Sequence, residues 1–157
     1  MDEKHETPDV EDLPLFKKGR EIFEVVYQIC ELIPCDDTHL EMIKGMMIND
    51  AALLITKVAG AEAAGLYDLK MENAAIIRKA ARDLMLQNHS LEAFGFKEVY
   101  YYEIVYTLID EYRLLFIDWV AGFDKFNCTI DRWGLFNPPG VGPFDKDVDE
   151  GLGGDWK

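Results

Sequence analysis

The stretch Lys97-Glu98-Val99-Tyr100-Tyr101-Tyr102-Glu103-Ile104-Val105-Tyr106-Thr107-Leu108-Ile109-Asp110-Glu111-Tyr112-Arg113-Leu114-Leu115-Phe116-Ile117-Asp118-Trp119-Val120-Ala121-Gly122-Phe123-Asp124-Lys125-Phe126 decides the fold. It has no proline and only one glycine, and its polar residues recur at helical spacing. With Glu103 as zero and about 100° per residue, Asp110, Glu111, Arg113, Asp118, Asp124 and Lys125 all fall within about 80° of it. The remaining arc of roughly 200° is almost wholly apolar and aromatic. It carries Tyr101, Tyr102, Ile104, Val105, Leu108, Tyr112, Leu115, Phe116, Trp119 and Val120. A helix lying on one core needs a stripe of only about 100°. This helix is therefore expected to touch neighbours on two sides.

Three further amphipathic segments precede it. From Leu15 to Ile33, Lys17, Arg20, Glu21, Glu24, Gln28 and Glu31 share one face. Ile22, Phe23, Val26, Ile29, Cys30 and Ile33 fill the other, until Pro34 and Cys35-Asp36-Asp37 end the pattern. Thr38-His39-Leu40-Glu41 has the form of a capping box with Thr38 as N-cap. The helix it opens runs through Met42, Met46, Ala51, Leu54 and Val58 into the small-residue run Ala59-Gly60-Ala61-Glu62-Ala63-Ala64-Gly65, where Gly65 is the expected terminator. A third helix is expected from about Leu69 to Asn88, with Ala74, Ile77, Ala81, Leu84 and Met85 inward and Glu72, Arg78, Lys79, Arg82 and Asp83 outward. Short connections make sequential helices antiparallel neighbours. The fold class is all-α: an up-down-up-down four-helix bundle over residues 15–126. An acidic arm (1–14), loosely attached or disordered, precedes it, and an irregular tail (127–157) follows.

Composition narrows the function classes. The 157 residues include 49% hydrophobic ones, enough for one domain with a real core, and the formal net charge is -14. Such a chain repels phosphate backbones and anionic membranes, so on charge alone nucleic acid is not the expected partner. Met1 to Glu6 has no apolar core for a signal peptide. No run of about 18 uncharged apolar residues exists, Asp50 interrupting the best one, so no membrane span is expected. Cys30, Cys35 and Cys128 form no disulfide or zinc pattern, which points to free thiols in the reducing cytoplasm.

The opening Leu15-Phe16-Lys17-Lys18-Gly19-Arg20, leading to Tyr27 and Pro34, and the alanine-rich end Ala61-Glu62-Ala63-Ala64-Gly65 resemble the four-helix-bundle proteins encoded in intervening sequences of large-subunit ribosomal RNA genes. The resemblance covers about residues 15–126. It implies the same bundle and a closed homo-oligomer, since members of that family form pentamers. A related basic accessory protein of retroelements is associated with nucleic acid; the acidic bundle here departs from it. The serine- and proline-containing approach to the second helix is missing, and the segment Trp133–Val141 is extra.

Chemistry-bearing patterns are sparse. A di-metal bundle site needs two Glu-x-x-His pairs, and the residues three before His5, His39 and His89 are Asp2, Asp36 and Leu86. An all-carboxylate site from Glu62, Glu72, Glu103 and Asp110 is the alternative reading to a non-catalytic scaffold. The plainer reading of these acids is solvated faces plus ion pairs to Arg78 or Arg113. Glu62, set among small residues, is expected to have a hydrogen-bond or ionic partner if it is buried. Asp145-Lys146-Asp147-Val148-Asp149-Glu150-Gly151 approximates a calcium loop, but glycine falls at position 7 and Trp156 replaces the closing glutamate. No nucleophile or phosphate-loop motif occurs, and no cofactor is expected. Trp133-Gly134-Leu135-Phe136-Asn137-Pro138-Pro139-Gly140-Val141 reads as a stiff apolar strap, docked on its own bundle, on a sister subunit or on a foreign partner. The expected contact residues are Tyr101, Tyr102, Tyr112 and Trp119 on the fourth helix, with Trp133, Leu135 and Phe136 in the strap. The expected partner is a second copy of the chain, or another protein.

Overall fold

The chain folds as four helices, α1 (Pro14–Glu31), α2 (Thr38–Ala64), α3 (Tyr67–Ala93) and α4 (Tyr102–Ala121), in a computed structural model that describes residues 9–147. Among the described residues there is no strand, and no helix there is long and apolar enough to cross a membrane. Each helix packs on its sequence neighbours and α4 closes back on α1, which makes a four-helix bundle. Contact is most extensive between α2 and α3, and least between α3 and α4. The core is continuous, from Phe16, Ile22 and Val26 of α1 through Met47, Leu54 and Val58 of α2 to Ile77 and Leu84 of α3 and Val105 and Tyr112 of α4.

Local chemistry sets the boundaries, in places differently from expectation. Proline is tolerated at a first helical position, and α1 begins at Pro14. Ahead of it, Val10–Asp12 form a 3-10 turn, and Val10 and Leu13 pack against the core, so the part of the acidic arm from residue 9 onward belongs to the bundle. The N-cap of α2 is Asp37, not Thr38: its carboxylate accepts from the amides of His39 at 2.8 Å and Leu40 at 3.2 Å. A charged acceptor holds the free amides of the first turn better than a hydroxyl does. Gly65 ends α2 with φ +72, as its lack of a Cβ allows. Helix α3 runs five residues past Asn88, because Leu91 is fully buried and holds the extra turn to the core. Helix α4 starts later than expected, behind a 3-10 turn at Val99–Tyr101, and it stops at Ala121.

The carbonyl oxygen of Leu54, mid-way along α2, is where three helices meet. A Cβ added to Gly19 of α1 would stand 2.8 Å from it, so these two helices cross closer than any side chain permits. From the other side, the hydroxyl of Tyr112 donates to the same oxygen at 2.8 Å. Further along α4, the hydroxyl of Tyr102 donates to the carbonyl of Leu84, and that of Tyr106 to the carbonyl of Met85 at 3.1 Å. Three tyrosines thus latch α4 onto α2 and α3. Burial raises the Tyr102 and Tyr112 hydroxyls well above the usual tyrosine range, so both remain donors at any working pH.

Candidate functional site

The tyrosine latches close α3 and α4 together at the start of α4. Beyond them the two helices part, and an apolar groove of about 370 Å³ opens between them. Its floor and walls are Ile77, Ala81 and Met85 of α3 with Ile109, Phe116 and Ile117 of α4. Ala81 and Met85, expected in the core, are half-buried: they pack against the core and line this groove. Arg78, Arg82 and Arg113 stand at the rim. No hydrogen bond or ion pair engages any of the three among the described residues. On a chain of net charge -14 with five arginines, three at one apolar groove is a local inversion of charge. An apolar groove with a few convergent polar groups is a binding-site geometry.

A second, polar cleft of about 410 Å³ lies between α2 and α3, lined by Met46, Asn49, Asp50, Lys79, Asp83 and Gln87 among others. Lys79 is already paired with Asp83 at 2.5 Å. Burial first, and the Asp83 carboxylate second, push Asp50 up to about 6, against the opposing pull of Lys79. Because the folded-state value lies above the ordinary one, protonation of Asp50 favours the fold. That contribution is present below about pH 4 and is lost as pH rises through 6. Asp50→Asn is therefore expected to stabilise the protein at pH 7–8 by about 1 kcal/mol, after discounting for solvent screening of a half-exposed group. Thermal melts should show a Tm gain of roughly 2–4 °C at neutral pH. The two melts should converge near pH 4; an equal offset at both pH values would show that desolvation of the charge is not the cause.

The expected contact residues separate into three groups. Tyr102 and Tyr112 are buried core residues whose hydroxyls bond inside the chain, and Tyr112 also lines the groove between α3 and α4. Tyr101 is exposed beside Tyr100, their rings 4.4 Å apart. Trp119 is half-buried between Phe116 and Phe123, and its indole N–H donates to Glu62 at 2.7 Å. Glu62 is thus exposed and partnered, with Lys70 a further 3.9 Å away. In the strap, Phe136 is half-buried, while Trp133 and Leu135 are 95% and 72% exposed. The strap is therefore anchored at Phe136 and the buried Pro138 but does not lie flat on its own bundle.

The acidic candidates are not brought together. Glu103 and Asp110 face solvent on α4, Glu72 borders a small cleft with Asp68 and Asp131, and Glu62 is held by Trp119. Among the described residues, no three His, Cys, Asp or Glu side chains gather closely enough to hold a metal ion. Helical spacing placed these acids on polar faces, and polar faces of a bundle point outward. In the calcium-like stretch, Asp145 accepts from the Gly142 amide at 2.8 Å and Asp147 pairs with Arg132 at 3.1 Å; its positions from 148 onward lie outside the described residues.

Comparison with protein-family models, with curated proteins and with solved structures finds no match to this chain. The groove and the strap are the features that remain to read. The arginine rim was visible in the sequence as Arg78 and Arg82, one turn apart on α3 and flanking Ala81. Only the parting of α3 and α4 turns that pair into the edge of a site.

Proposed function

We propose that this chain is a non-catalytic interaction protein of the cytoplasm that works as a homo-oligomer. The observation that supports it is the open α3–α4 groove, whose lining is aliphatic and aromatic and whose charged groups are arginines. Such a lining offers contact rather than acid–base chemistry. Ile104 and Leu114 on α4, and Phe126 and Trp133 after it, are further large apolar side chains exposed to water. The likeness to the intervening-sequence bundle proteins favours assembly with itself. The three free thiols suit a reducing compartment.

Light scattering at micromolar concentration tests this. A mass above that of the 18.0 kDa monomer is expected, rising with added salt as the mutual repulsion of chains of charge -14 is screened. A strictly monomeric mass at both low and high salt would remove the homo-oligomer from this account.

A further inference from the structure

We propose that the Trp133–Leu135 loop of one copy seats in the α3–α4 groove of another, so that the protein associates head to tail. This rests on the self-association proposed above and names its two surfaces.

The loop is built to project. The Asp131 carboxylate accepts from the backbone amides of Trp133 at 3.0 Å, Leu135 at 2.9 Å and Phe136 at 2.8 Å. Asp131 and Asn137 exchange two more hydrogen bonds, from the Asp131 amide to the Asn137 side chain at 2.8 Å and from that side chain back to the Asp131 carbonyl at 2.9 Å. The amides aimed at it hold the Asp131 carboxyl below its usual range, so this cap is charged at neutral pH. Gly134 has φ +70, and a Cβ there would come within 3.1 Å of Pro143. Arg132 ties in the following turn through the carbonyls of Pro143 and Asp145 and the carboxylate of Asp147. Between these restraints, the indole of Trp133 and the side chain of Leu135 stand in solvent. An apolar knob held in advance loses little entropy on docking, and tryptophan is among the residues enriched at interface hot spots.

The groove complements the knob in shape and in charge. It is apolar, and about 370 Å³ accommodates an indole and a leucine side chain. Asp68, Glu72 and Asp131 line the cleft beside Trp133 and Leu135, and Arg78, Arg82 and Arg113 line the groove. Opposite local charges let two strongly acidic molecules meet at this one place, and a guanidinium over the indole face adds a cation–π contact. The same chain's loop is committed elsewhere. Asn127, at its root, donates to the Gly65 carbonyl at 2.8 Å and accepts from the Tyr67 amide at 2.9 Å, and the loop borders Asp68 and Glu72 on the first turns of α3. The groove starts two turns further on, at Ile77. Knob and groove are different surfaces, and a one-way, head-to-tail contact between them is heterologous.

A mixing experiment on the full chain tests this. One variant carries Trp133→Ser and Leu135→Ser and retains the groove; the other carries Arg82→Glu and Arg113→Glu and retains the knob. All four positions are exposed, so folding should survive, and helical circular dichroism checks that it does. By sedimentation velocity, each variant alone is expected to associate at least about tenfold more weakly than the parent chain. An equimolar mixture should recover a complex of two chains and stop there, because only one knob and one groove remain intact. A mixture that stays monomeric, or a variant that assembles like the parent chain, overturns the contact. A parent chain that never assembles defeats self-association itself, whereas assembly that both variants retain leaves it standing on another surface.

Discussion

Gly19→Leu should be among the most damaging single substitutions in this protein. A Cβ at position 19 would stand 2.8 Å from the Leu54 carbonyl oxygen and 3.3 Å from the Ile55 side chain. The first of these neighbours is helix backbone, which cannot turn aside as a side chain can. Helices α1 and α2 must then separate along a core that contains Ile22, Val26, Ala51 and Leu54, all fully buried. The expected loss is about 3 kcal/mol, or a fall in Tm of roughly 6–12 °C for a chain of this size. Gly19→Ala sets the same first contact against about 1 kcal/mol of helix propensity, and it should lose less. A Tm for Gly19→Leu within 2 °C of the parent chain would mean that α1 and α2 do not need this close approach.

The second large effect is expected at Tyr102, and it separates packing from hydrogen bonding. Its ring is wholly buried, and its hydroxyl donates to the Leu84 carbonyl. Tyr102→Ala leaves a ring-sized void and should cost about 4 kcal/mol. Tyr102→Phe keeps the ring and removes one donor, for about 1 kcal/mol. Urea unfolding of both variants measures the difference. If phenylalanine cost as much as alanine, the latch rather than the ring would be holding α4 to α3. Neither outcome bears on surface contact, so Tyr102→Phe should leave the self-association of the folded chain unchanged, unlike the exposed Trp133 and Leu135.

The polar cleft obeys the same physical rule on a smaller scale. Asp50 is a partly desolvated carboxylate with Asp83 nearby, and its one cationic neighbour, Lys79, is already engaged. Its charge is therefore expected to lower stability at neutral pH, which the Asp50→Asn melts measure.

The four helices were legible in the sequence. Their periodicity, and their breaks at Pro34 and Gly65, depend on local conformational energies and on the 3.6-residue repeat, which a chain carries before it folds. The angular breadth of α4 was legible too: more than one neighbour was required, and α1 and α3 are those neighbours. The destinations of its tyrosines were not, because an apolar arc of roughly 200° is the same whether a second helix of the chain or a second copy covers it. Tertiary structure decided that Tyr102 and Tyr112 spend their hydroxyls on carbonyls of α3 and α2. It also decided that Gly19 marks a crossing, that α3 and α4 part beyond the latches, and that Trp133 projects from a loop capped by Asp131. Each of these depends on distances between residues far apart in the chain, such as 58 positions between Leu54 and Tyr112. Local periodicity holds no record of such separations; they are fixed only when the helices choose their crossing points and the core closes around them.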